Sequence, residues 1–144
     1  MTIFSGRCSI SIEGPRNRRE AYSNIGDRTD VFDGRSTMVY LPKGVKYEIA
    51  AETKNLDMGI STAPSSVDWP PVLVKPEGVI ENMVGVWNWR RKVYTAIGNN
   101  VKAQRLIVGE TFNPPDNWSS SPPHKHDKKT EKEATIRGGL LLQN

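Results

Sequence analysis

The sequence predicts an all-β sandwich or barrel. Three observations carry this: prolines and glycines run through the whole chain, short stretches alternate apolar with polar residues, and turn-forming residues separate those stretches. Ten prolines and twelve glycines leave few intervals long enough for a helix, because an interior proline removes a hydrogen bond and clashes with the preceding turn. No interval sustains apolar residues at i, i+3, i+4 and i+7. Alternation is instead visible at 8–12, where Cys8, Ile10 and Ile12 share one face and Ser9 and Ser11 the other. It recurs at 46–52, with Tyr47, Ile49 and Ala51 together. Further strands are predicted at 37–41, 58–63, 72–74, 92–96 and 105–112. The separating turns are Glu13-Gly14-Pro15, Phe32-Asp33-Gly34, Pro42-Lys43-Gly44, Gly98-Asn99-Asn100 and Asn113-Pro114-Pro115-Asp116. Residues 79–105 read as a connector between two β units, carrying the cluster Trp87-Asn88-Trp89-Arg90-Arg91. The charge run at 127–133 reads as a solvated loop.

With 144 residues, the chain is one domain or one and part of another. At 36% hydrophobic and 25% charged residues it is too apolar for a disordered chain and too polar for a membrane protein. The start lacks an apolar signal region, which points to the cytoplasm. A single cysteine, Cys8, excludes an internal disulfide framework and reads as a small buried hydrophobe. The net charge of +4 speaks to solubility more than to a polyanion partner.

The sharpest local feature is Pro122-Pro123-His124-Lys125-His126-Asp127, which holds the only two histidines. In a strand, positions i and i+2 point the same way, so both imidazoles can converge on one cation. Glu131 is a candidate third ligand. Polar surface is the other reading of these residues. Arg90 and Arg91, beside Trp87 and Trp89, suit a sugar acid, a nucleic acid or ordinary packing of their aliphatic stems. The stretch Tyr40-Leu41-Pro42-Lys43-Gly44-Val45-Lys46-Tyr47 resembles the second conserved motif of cupin barrels, and equally an ordinary hairpin. Tyr47 stands where the cupin motif has a metal-binding histidine, so the first unit is expected to be metal-free.

Taken together, Asn117-Trp118-Ser119-Ser120-Ser121-Pro122-Pro123-His124-Lys125-His126-Asp127 resembles the signature of the 5-deoxy-glucuronate isomerases, a bicupin family of bacterial myo-inositol catabolism. Supporting matches are Ile25-Gly26-Asp27-Arg28, the Tyr40-Leu41-Pro42 turn, residues 88–93 and Leu106-Ile107-Val108-Gly109-Glu110. The resemblance implies a cupin-type jelly roll over 1–78 lacking its opening strands, a connector over 79–105, and the first strands of a second barrel over 106–144. It implies an aldose–ketose isomerase converting 5-deoxy-glucuronate to 5-dehydro-2-deoxygluconate, with zinc or manganese held by His124 and His126; Glu131 as a further ligand rests on the residues alone. Arg90 or Arg91 would clamp the substrate carboxylate, and the base stays unassigned.

The family continues after the HKHD run with something like LEEVYYYR, whereas this chain ends Arg137-Gly138-Gly139-Leu140-Leu141-Leu142-Gln143-Asn144. EEVYYYR read in a shifted frame can give RGGLLLQ, so the resemblance implies a frameshifted, truncated product. Such a fragment is expected to bind metal weakly or not at all, and to lack isomerase turnover. The expected partners are a small sugar acid and, if the chain is a homo-oligomer, its own copies, with no nucleic acid and no membrane. The competing reading is a non-catalytic cupin-like module that binds a sugar acid or a partner subunit. A nucleic-acid binder is disfavoured because the cationic residues are scattered and balanced by acids.

Overall fold

The computed structural model describes residues 1–15 and 18–119. Its strands are β1 (Thr2–Ser5), β2 (Cys8–Glu13), β3 (Arg19–Ile25), β4 (Thr37–Tyr40), β5 (Lys46–Ala51), β6 (Asp57–Gly59), β7 (Val72–Val74), β8 (Ile80–Val84), β9 (Arg91–Ile97) and β10 (Val108–Phe112). Two single-turn 3-10 segments lie at Pro76–Gly78 and Trp87–Trp89. No α-helix occurs among the described residues, as the proline spacing requires.

The strands form three antiparallel sheets: β6-β1-β4-β7, β3-β2-β5 and β10-β9-β8. The first is the middle layer. β4 shows why: Thr37, Met38, Val39 and Tyr40 are all buried, as in a strand covered on both faces. Val39 faces a cluster with Ile3, Cys8, Ile10, Ile12 and Ile25, between the first and second sheets. Met38 and Tyr40 face the other way, toward Val74, Val79, Ala96, Ile97 and Val101, between the first and third sheets. In β2, Cys8, Ile10 and Ile12 are buried while Ser11 and Glu13 are exposed, as the alternation predicts. Ile10 pairs with Ile49 and Ile12 with Tyr47 across β5. Cys8 is fully buried, and burial, then the charge of Glu52, pushes its thiol up, in keeping with an inert core thiol.

The structure corrects the element assignment in three places. β1, β3 and β8 were not expected. β3 and β8 are sheet edges whose side chains stay largely in water, so they carry no clear apolar face. β1 is simply short. Residues 79–105, expected to connect, contribute β8 and β9, which pair with β10 through Ile80↔Thr95 to Val84↔Arg91 and Val108↔Ile97 to Phe112↔Lys92. The stretches 58–63 and 105–112 are strands only at Asp57–Gly59 and Val108–Phe112.

Tyr22 packs on the first cluster and its hydroxyl donates to Glu20 Oε2 at 3.0 Å. Burial, then the hydrogen bond to Glu20 and its charge, push this phenol up to about 12. An unfolded tyrosine titrates near ~10, so the folded chain retains a proton that the unfolded chain loses. The resulting stabilisation is complete below the unfolded value and is lost as pH rises through about 12. A tyrosinate absorbance titration is expected to show a late-ionising phenol near the top of the range that disappears in Tyr22→Phe.

Candidate functional site

A groove of about 230 Å³ lies beside the middle sheet. One wall is the segment 60–65, the other residues 104–106, and Tyr40, Lys43 and Tyr47 contribute from β4, the following turn and β5. Gln104 joins the walls. Its Oε1 accepts from Ser65 Oγ at 3.1 Å and from the Ser66 amide at 2.8 Å, and its Nε2 donates to Ser66 Oγ at 2.8 Å. Lys43 Nζ donates to the Ser66 carbonyl at 2.9 Å. These four bonds fix the wall spacing without a regular sheet. Tyr47 lines the groove at the position where the cupin motif would place a histidine, and its phenol is a poor ligand for a divalent cation at neutral pH.

A second constellation joins two stretches that the sequence resemblance singled out separately. Arg28, 3% exposed, reaches Glu110 through two parallel bonds, Nη2 to Oε1 at 2.6 Å and Nη1 to Oε2 at 3.0 Å. Its Nε and Nη2 also donate to the Ile3 carbonyl at 3.3 and 3.1 Å, and Nη1 approaches the Val31 and Gly34 carbonyls at 3.4 Å each. The guanidinium therefore ties β1, the 28–34 loop and β10 together. The same loop covers one face of the third sheet. Phe32 meets Phe112 edge-on at 6.0 Å, Arg35 pairs with Glu81 at 2.6 Å, and Arg35 and Lys92 both lie over the Tyr94 ring. Glu81 is held low by the hydrogen bond from Arg35, with Lys92 adding to the effect.

The predicted substrate-binding residues Arg90 and Arg91 lie at the β8–β9 turn, and neither lines the groove. Arg91 Nη1 donates to the Trp89 carbonyl at 3.2 Å, so that side chain helps hold the turn. Gly85 is required there. Its φ is +79°, and a Cβ would stand 2.1 Å from the Trp89 carbonyl oxygen. Trp87 is held at φ 49° and is 84% exposed, a conformation unusual for a bulky residue. The Asn117-Trp118 end of the long signature run docks on this turn. The Trp118 amide donates to the Asn88 carbonyl at 2.7 Å, and Asn117 Nδ2 to the Arg90 carbonyl at 2.7 Å. His124, His126 and Glu131 lie outside the described residues. Among the described residues no three histidine, cysteine or acidic side chains converge on a common point where a cation could sit. The donor set of the signature run, two imidazoles and a carboxylate, is the ordinary chemistry of a zinc or manganese site.

A family model described as the KduI/IolB family matches residues 1–137. The chain belongs to the KduI/IolB family. A 5-deoxy-glucuronate isomerase of Geobacillus thermodenitrificans is 37% identical over 131 residues, covering 88% of this chain and 47% of the relative. One from Shouchella clausii is 38% identical over 127 residues, covering 84% and 46%. The crystal structure of an IolB-like protein from Salmonella typhimurium superposes with a TM-score of 0.82 at 26% identity, over 93% of this chain and 49% of that one. The chain thus spans about half the length of the curated KduI/IolB relatives it matches. The family match agrees with the resemblance read from the sequence, and the structure agrees with the expected all-β class. No helix among the described residues is long and apolar enough to cross a membrane.

Proposed function

We propose that the chain carries part of an isomerase that converts 5-deoxy-glucuronate, an aldehyde sugar acid, into the 2-ketone 5-dehydro-2-deoxygluconate in cytoplasmic inositol catabolism. The observation that carries this reading is the match to the KduI/IolB family over 1–137, with isomerase relatives above one third identical. In this reading the three sheets up to β10 are metal-free and the signature run that follows them opens the metal-bearing unit. His124 and His126, with Glu131 as the third donor, would hold the cation. A divalent cation bound there supplies Lewis acidity toward the carbonyl and its neighbouring hydroxyl. The chain's own residues have two further tasks. A base moves a proton between adjacent carbons, and a guanidinium holds the distant carboxylate. Arg90 and Arg91 remain the proposed clamp. The docking of Asn117 and Trp118 on their turn supports it, because it anchors the signature run beside them six residues before His124.

On its own the 144-residue chain is expected to bind zinc or manganese weakly and to turn over no substrate. Two imidazoles and one carboxylate fall short of the four donors of a closed zinc site, and unpaired ligands must be ordered on binding. Fusing residues 1–126 to the matching remainder of the Geobacillus thermodenitrificans relative is expected to give conversion of 5-deoxy-glucuronate, abolished by His124→Ala. A folded, metal-loaded chimera with no turnover would refute the isomerase reading. The non-catalytic alternative is favoured if that chimera binds the substrate and leaves it unchanged.

A further inference from the structure

We propose that the groove between segments 60–65 and 104–106 is a binding site for a small hydroxylated carboxylate that is held without His124, His126 or a metal. Its charge is one-sided. Lys43 and Arg105 line it, and no aspartate or glutamate does so among the described residues. Lys43 commits one N–H to the Ser66 carbonyl, which leaves two donors on its ammonium. Arg105 is exposed and makes no ion pair among the described residues, so its fork is available for bidentate capture of a carboxylate.

Tyr40 gives a second, independent indication. It lines the groove, is only 4% exposed, and its hydroxyl makes no hydrogen bond among the described residues. A buried hydroxyl without a partner is costly, and a ligand oxygen in the groove would satisfy it. Burial, then the negative charge of Asp68, pushes this phenol up, which keeps it protonated and able to donate. Tyr47 and Thr62 add hydroxyls along the walls. The groove has room for about eight waters at ~30 Å³ each, which suits a single small acid. The Gln104 bonds fix the wall spacing before any ligand arrives, so little ordering is needed on binding.

The test is calorimetric titration of the 144-residue chain with glucuronate, and with glucose at the same ionic strength. Glucuronate is expected to bind without added metal and glucose not to bind. Arg105→Gln is expected to weaken glucuronate about tenfold or more, and Tyr40→Phe by about three- to tenfold. Lys43→Gln is the second charge variant should Arg105→Gln fail to fold. Equal binding of glucose overturns the proposal, as does glucuronate affinity unchanged in both charge variants. Binding that requires zinc would locate the ligand at the histidine run and overturns it as well. Glucuronate binding alongside an inactive chimera refutes the isomerase reading and leaves this site standing.

Discussion

Replacing Glu110 with glutamine is expected to lower the stability of the chain by about 3–5 kcal/mol. The Arg28 side chain is almost fully enclosed and its partner's carboxylate is 14% exposed, so glutamine would leave an uncompensated charge out of water. Arg28→Met should cost a comparable amount, because it also orphans the Ile3 carbonyl. The informative variant is the double one, Arg28→Met with Glu110→Leu. Two apolar side chains in the same space remove the buried charge, and the double variant is expected to recover much of the loss. Urea midpoints of the unsubstituted chain, Arg28→Met, Glu110→Leu and the double variant give the coupling directly. If the two single losses simply add in the double variant, the bridge is no more than surface decoration and the link between β1, the 28–34 loop and β10 lies elsewhere. An expected loss of this size is a large fraction of the roughly 5–15 kcal/mol that holds a domain folded, so expression yield should fall as well.

Ile10→Ala is expected to cost about 2–5 kcal/mol and, more tellingly, to shift an unfolding signal from the opposite side of the molecule. Ile10 packs between the first two sheets. Trp69 packs on the other cluster, between the first sheet and the third. The two clusters share the middle sheet, and β4 contributes Val39 to one and Met38 to the other. A cavity in one layer should therefore lower the melting point seen by tryptophan fluorescence as much as that seen by far-ultraviolet dichroism. Met38→Ala should do the same from the other side. A tryptophan transition that stays in place in Ile10→Ala would mean that the two layers unfold independently.

The parts of this architecture that were legible in the sequence are those where burial on one face leaves a period. β2 is the clear instance, with three buried residues alternating with two serines. β3 and β8 were illegible because an edge strand keeps polar groups on both faces, and on β8 Glu81 serves ion pairs with Arg35 and Lys92 instead of packing. The overlong strands predicted at 58–63 and 105–112 are a different kind of miss. Ile60, Thr62, Arg105 and Leu106 do share a common environment, but it is the wall of a groove held by Gln104, not a ladder of backbone hydrogen bonds. Gln104 gave no signal, since nothing in its sequence neighbourhood announces a partner 38 residues away. The candidate ligands His124 and His126 stood out by their i, i+2 spacing within the signature run and because the chain has no other histidine, and the anionic character of the groove's ligand became readable only once Lys43 and Arg105 were brought to one place.

The Arg28–Glu110 bridge also sets an order in time. The two residues are 82 apart in sequence. At roughly 5–20 residues per second of synthesis, Arg28 waits about 4–16 s for its carboxylate. Closing a loop of that length carries an entropic cost on the order of 4 kcal/mol beyond a constant term, and nothing repays it until β10 arrives. During that interval the guanidinium has only carbonyl oxygens for company, and those alone do not bring a full charge out of water. The nascent 1–78 region must therefore keep the 28–34 loop open. Docking of the third sheet is the step that commits the chain, and a ribosome stalled before Glu110 would hold an early barrel whose central strand is covered on one face only.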